Sequence, residues 1–222
     1  NTTVSGLTYN TSNNTDGIYR LMWTISNGIC GSSSSIVTIT VQPPTNPGSI
    51  GPDAVVCSGN NTGTLILTGY VGTILQWESS VNNGGTWTVI GSTVGANTNT
   101  FTYTNLTTTT LFRALVKNGG GASLYSGIAA TITVLQLVTP SNAGPNQTLC
   151  NTSSTTLAGN IPTSGTGKWS FVSGPTAVTF SNTSDPLSIV NGLSIGTYQL
   201  QWTISNGICA NSTSIVIITV QA

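Results

Sequence analysis

An octapeptide occurs twice in this chain without a single change, as Trp23-Thr24-Ile25-Ser26-Asn27-Gly28-Ile29-Cys30 and as Trp202-Thr203-Ile204-Ser205-Asn206-Gly207-Ile208-Cys209. Each copy follows a Gly-x-Tyr-x-Leu lead (Gly17, Tyr19, Leu21; Gly196, Tyr198, Leu200) and runs on to a β-branched stretch ending Val41-Gln42 or Val220-Gln221. Tyr198, Leu200, Trp202 and Ile204 alternate with Gln199, Gln201 and Thr203. One face of an extended strand is then apolar and the other polar, which is the period of a half-buried β-strand. Asn206-Gly207 suits a two-residue type I′ hairpin turn, with Thr213–Val220 as the return strand. The chain therefore reads as a repeat protein whose unit contains a long β-hairpin.

The rest of the composition agrees. Thr, Ser, Asn and Gly dominate between the apolar runs, and all four are poor helix formers that suit strands and turns. Only 4% of the 222 residues are charged, and the formal net charge is zero. The four bases (Arg20, Arg113, Lys117, Lys168) are scattered, too few to neutralise a run of phosphates, so nucleic acid is not an expected partner. The longest apolar run, Ile215 to Val220, has strand length, far short of the roughly 18 residues of a membrane helix. No signal peptide is visible at the start, where the chain reads as beginning inside a repeat.

Further strand candidates lie at Asn146–Leu149, Thr155–Asn160, Lys168–Ser173, Ala177–Ser181 and Leu187–Val190. With the hairpin they make about seven strands in ~85 residues, the count of an immunoglobulin-like sandwich. The boundaries follow: residues 1–42 form the C-terminal part of a repeat, 43–136 a full repeat entered through Pro43-Pro44-Thr45-Asn46-Pro47-Gly48, and 137–222 a second full repeat. Two or three strands cannot close a sandwich, so residues 1–42 are expected to be completed by upstream sequence or by a neighbouring protomer.

Asn142-Ala143-Gly144-Pro145-Asn146-Gln147-Thr148-Leu149-Cys150, Thr156-Leu157-Ala158-Gly159-Asn160 and Trp202 to Cys209 resemble the PKD-like repeats of giant surface adhesins from gliding bacteria. Val56-Cys57-Ser58-Gly59, Gln76-Trp77-Glu78-Ser79-Ser80, Gly85-Thr86-Trp87 and Phe112-Arg113-Ala114 resemble the immunoglobulin-like repeat found beside them. The resemblance implies an all-β fold of tandem immunoglobulin-like (PKD-like) β-sandwich repeats in a head-to-tail array. It also implies a stalk or spacer role, outside the cell or on its surface, with neighbouring repeats or protomers as partners. Gly121 departs from it, standing where that pattern places a cysteine.

Catalytic chemistry finds little material. There is no His, which removes the usual nucleophile systems and the commonest metal ligand. The acids Asp16, Asp53, Glu78 and Asp185 are far apart in sequence, against paired-carboxylate hydrolysis and against calcium loops. No enzyme activity, cofactor or metal is expected. Ser80-x-Asn82-x-Gly84-x-Thr86-Trp87 resembles an Asp-box, a hairpin turn whose side chains bond their own backbone. Trp23, Trp77, Trp169 and Trp202 fall on the apolar phase of strands and are expected in cores. Trp87, beside a turn, is the one candidate for stacking on a surface glycan, which would make the chain a carbohydrate- or matrix-binding module. An accessory region of a larger secreted enzyme is a third reading.

Three contacts are expected. Tyr198, Leu200, Trp202 and Ile204 should bury with Trp169, and Leu75 and Trp77 with Phe112, Ala114 and Val116. Glu78 and Arg113, on the outward phase of adjacent strands, should form a partly exposed ion pair worth under about 1 kcal/mol. The cysteines admit two pairings. Cys150–Cys209 lies within the last repeat but would leave Cys57 alone, and in an up-and-down sandwich it would span about a strand length, ~17–20 Å, where a disulfide needs Cα atoms within about 7 Å. Cys57–Cys209 joins the bottom of one repeat to the top of the next. It is favoured, with Cys30 pairing upstream, Cys150 downstream, and Cys150–Cys209 left as the alternative.

Overall fold

The computed structural model describes residues 2–90 and 98–222, and the description that follows concerns these. All regular structure in them is β. Two compact units are distinguished: one comprises 1–53, 64–103 and 110–131, the other 54–63, 104–109 and 132–222.

Residues 17–41 form a hairpin of β1 (Gly17–Asn27) and β2 (Cys30–Val41), paired from Gly17 opposite Val41 to Asn27 opposite Cys30. It makes a two-stranded sheet. In the middle repeat come β3 (Ser49–Gly51), β4 (Ala54–Cys57), β5 (Thr62–Thr68), β6 (Thr73–Ser80), β7 (Thr88–Ile90), β8 (Thr100–Thr104), β9 (Thr110–Lys117), β10 (Leu124–Tyr125) and β11 (Ala130–Leu135). One sheet runs β4-β11-β9-β6-β7, with β10 also on β9, and the other runs β3-β5-β8. The first strand changes sheets. Its leading half, β3, pairs antiparallel with β5, and after Pro52 its second half, β4, pairs parallel with β11. Proline lacks the N–H a ladder needs, so the break falls where a strand must leave one sheet. Between the layers Trp77, Phe101, Phe112 and Tyr103 form a chain of rings with centroids 5.6, 5.6 and 6.1 Å apart.

Leu75 departs from the expected core. Ile74 and Trp77 are buried, three residues apart, and Leu75 is 43% exposed. The ladder to β9 explains this: Ile74 faces Val116 and Gln76 faces Leu115, a bulge that leaves Leu75 unpaired. One extra residue shifts the alternation by one, and every side chain after it changes face.

The last repeat contains β12 (Gln147–Cys150), β13 (Ser154–Thr156), β14 (Thr166–Ser173), β15 (Thr179–Phe180), β16 (Ile189–Asn191), β17 (Gly196–Asn206) and β18 (Cys209–Gln221). They build sheets β12-β18-β17-β14 and β13-β16-β15. Tyr198, Leu200, Trp202 and Ile204 bury in one cluster with Trp169, Leu157, Val190, Val216 and Ile218. Trp169 and Trp202 are paired across β14 and β17, their ring centroids 5.0 Å apart. Gly167 makes room for this, since a Cβ there would run into the Trp202 ring. The turn differs from expectation by one residue. Asn206 pairs with Cys209, so Gly207 and Ile208 are the loop residues, and of these only Gly207 has positive φ, 57°. A type I′ turn requires positive φ at both positions, whereas type II′ wants it only at the first, where glycine stands.

Candidate functional site: an ion pair, a disulfide and an uncovered hairpin

Glu78 and Arg113 stand directly opposite each other on β6 and β9. Two guanidinium nitrogens converge on one oxygen: Arg113 Nε and Nη2 both lie 2.7 Å from Glu78 Oε2. On the other carboxylate oxygen, Gln76 Nε2 donates at 2.5 Å and the Tyr125 hydroxyl at 3.2 Å. The guanidinium lies between two rings, its Cζ 4.0 Å from the Trp87 centroid and 3.6 Å from that of Tyr125. The pair is exposed on one side only: the Arg113 side chain is 23% exposed and that of Glu78 6%, with Gln76 and the Tyr125 hydroxyl on its second oxygen. Sequence reasoning missed Tyr125, which arrives on the two-residue strand β10 with no periodicity to reveal it.

The same geometry narrows the reading of Trp87. It is half-buried, and one ring face is occupied by Arg113, so at most the opposite face is left to stack on a sugar. Its turn is held from within: Asn82 Oδ1 accepts from the Ser80 hydroxyl at 2.9 Å and from the Thr86 N–H at 2.8 Å, and Ser80 Oγ accepts from the Gly84 N–H at 2.9 Å. Removing the Arg113 side chain would leave a buried carboxylate with two neutral donors. Breaking fully buried pairs in this way costs several kcal/mol, and discounting for the exposure of Arg113, Arg113→Ala is expected to lower unfolding free energy by about 2 kcal/mol. Urea denaturation of the variant checks this.

Cys57 and Cys209 form a disulfide, with Cα atoms 5.5 Å apart and a sequence separation of 152. Both belong to the second compact unit. Cys57 ends β4, where it pairs with Leu135 of β11, and the next N–H, of Ser58, donates to the Leu135 carbonyl at 2.8 Å. Cys209 opens β18 at the hairpin tip. The tip is seated on the segment after β11: Asn206 Nδ2 donates to the Gln136 carbonyl at 2.7 Å, and a Cβ on Gly207 would strike the Leu135 side chain. Cys150 is not joined to Cys209; it and Cys30 are free and exposed.

The hairpin 17–41 is the third feature. Its register repeats that of β17–β18 pair for pair, including the shift before the turn. Its inner-face residues Tyr19, Leu21, Trp23, Ile25, Val37, Ile39 and Val41 are the same residues, in order, as Tyr198, Leu200, Trp202, Ile204, Val216, Ile218 and Val220. In the last repeat those side chains are at most 3% exposed, whereas Trp23 is 69%, Ile25 63% and Val37 55% exposed. Trp23 is thus not a core residue here. Among the described residues no group of three or more His, Cys, Asp or Glu gathers as a metal site would require, and no helix is long and apolar enough to cross a membrane.

Residues 46–136 match the model of a family described as a domain of unknown function (DUF8696). No curated protein matches the chain. Among solved structures, extracellular domains 3–5 of Drosophila OTK share 14% identity over 93% of this chain and 71% of that one, with a TM-score of 0.53. An I-band fragment of titin shares 15% over 93% and 75%, with a TM-score of 0.51. The fold is an immunoglobulin-like β-sandwich. A PKD domain from the KIAA 1837 protein is 29% identical over 36% of this chain and 84% of that one, with a TM-score of 0.33. The immunoglobulin-like assignment agrees with the strand layout described above, in which the first strand divides between the two sheets.

Proposed function

We propose that this chain is a non-catalytic structural module of an extracellular or cell-surface protein, an immunoglobulin-like spacer of the kind found in long bacterial surface adhesins. The observation that carries this reading is the Cys57–Cys209 disulfide, which ties the end of β4 in one sequence repeat to the hairpin tip of the next. A bond of that kind persists in oxidising surroundings. Its position suits a chain under tension better than one that must open, because it bridges nearly all of the last two repeats. The nearly uncharged surface and the absence of His leave side chains suited to packing and hydrogen bonding. Partners under this reading are neighbouring repeats or protomers of the same kind.

The test is mechanical. Held between handles at its two ends, the chain is expected to keep its length at loads that extend the Cys209→Ser variant. Equal lengthening of both chains at the same load would end the spacer reading.

A further inference from the structure

The two free cysteines are not equivalent to each other. Cys30 occupies the place in its hairpin that Cys209 occupies in the last one, as the last residue of the same octapeptide and opposite the same asparagine (Asn27 with Cys30, Asn206 with Cys209). Cys150 occupies the place of Cys57. Each is the last residue of a short strand paired parallel to the final strand of its repeat, Cys57 opposite Leu135 and Cys150 opposite Gln221. The following N–H closes each pair in the same way, Ser58 onto Leu135 at 2.8 Å and Asn151 onto Gln221 at 2.9 Å. The chain therefore displays one tip thiol and one strand-end thiol, the two halves of the disulfide it already contains once.

We infer that Cys150 of one copy forms a disulfide with Cys30 of a second copy, linking chains head to tail with the Cys57–Cys209 junction as the template. Two further observations place the tip at that end. A groove of about 530 Å³ beside Cys150 is lined by Asn151, Leu193, Ile195 and Val220, among others. Ile29, next to Cys30, projects with 107% exposure, whereas Ile208 in the seated tip shows 67%. Seating the first tip covers part of Ile29 in the same way and brings Asn27 to the Ala222 carbonyl, the counterpart of the Asn206 contact with Gln136.

The bond forms by exchange with a small disulfide such as oxidised glutathione. The Cys150 thiolate attacks one sulfur and expels one thiol. The Cys30 thiolate then attacks the Cys150 sulfur and expels the second, so two protein thiols are oxidised while one small disulfide is reduced to two thiols. The inference rests on the spacer reading, and the two fail separately, because the mechanical test concerns a bond within one chain.

Cys30→Ser and Cys150→Ser chains, both keeping Cys57–Cys209, provide the experiment in a glutathione buffer. Both positions are exposed and unbonded, so serine leaves the fold intact. Mixed together, they should form a disulfide heterodimer about tenfold faster than either variant forms its homodimer, since only the mixture pairs a tip with a strand end. Mass spectrometry should find the Cys30 peptide joined to the Cys150 peptide. Ile29→Ser in the chain that carries Cys30 should bring the mixed rate down toward the homodimer rate. The unsubstituted chain should give a ladder on a non-reducing gel. Equal rates in mixed and single samples, an Ile29→Ser variant that couples undiminished, a chain that stays monomeric with both thiols capped, or a bond from Cys30 to Cys150 within one chain would each overturn the proposal.

Discussion

Adding a reductant to the chain while it is held under load should lengthen it by about 500 Å. The disulfide bridges a sequence separation of 152, and an extended chain spans at most about 3.3–3.6 Å per residue. While the bond is intact, force entering at the first residue reaches Cys57, crosses to Cys209 and leaves along β18. Once unfolded, residues 58–208 hang outside this path and carry no tension. What resists first is the pairing of β4 with β11 and of β18 with β12, both parallel. Pulling along such strands loads their hydrogen bonds together in shear. Force spectroscopy with and without reductant measures the difference directly, and Cys209→Ser should show the long extension without reductant. The same bond restricts the unfolded chain, and a loop of this size is worth about 5 kcal/mol in the chain-entropy account. The variant should therefore also unfold at lower denaturant, in the part that holds Cys209.

Identical tryptophans in identical octapeptides should respond very differently to substitution. Trp202→Ala is expected to cost about 4 kcal/mol, in the range for deleting a large aromatic from a core. The Trp202 ring is fully buried, packed on Trp169 and lying over Gly167. Its indole Nε1 finds no acceptor, so the residue contributes through buried area and ring contact rather than a hydrogen bond. Trp23→Ala should cost less than about 1 kcal/mol, as expected of surface positions, because that ring is 69% exposed. Chemical denaturation of the two variants compares them. A Trp23→Ala variant as damaged as Trp202→Ala would mean that the first hairpin is covered in solution.

Much of the fold was legible because the alternation of β17 and β18 is unbroken over many residues. Tyr198, Leu200, Trp202 and Ile204 can share a face only if the backbone is extended, and a face that apolar must be covered. The immunoglobulin-like layout followed from the number and spacing of such segments. Leu75 shows where this kind of reading stops. A bulge inserts one residue, and whether it falls at Leu75 or beside it depends on the partner strand β9, which lies far away in sequence. The hairpin turn falls one residue later than the Asn-Gly dipeptide alone implies for a related reason, since the register shift before Asn206 is set by pairing.

The candidate site divides along the same line. That Glu78 and Arg113 would meet could be read from strand phase, but their burial could not. It depends on Trp87, Tyr125 and Gln76 converging on the pair from separate stretches, and only tertiary structure brings two rings against one guanidinium. By itself the sequence determined the strands, the repeat and the identity of the two apolar hairpin faces, because these depend on side chains a few positions apart. Tertiary structure decided which face is a core and which is uncovered, and which two of four cysteines are bonded. Burial and disulfide geometry depend on the neighbours that long-range pairing supplies, and two identical octapeptides can have different ones.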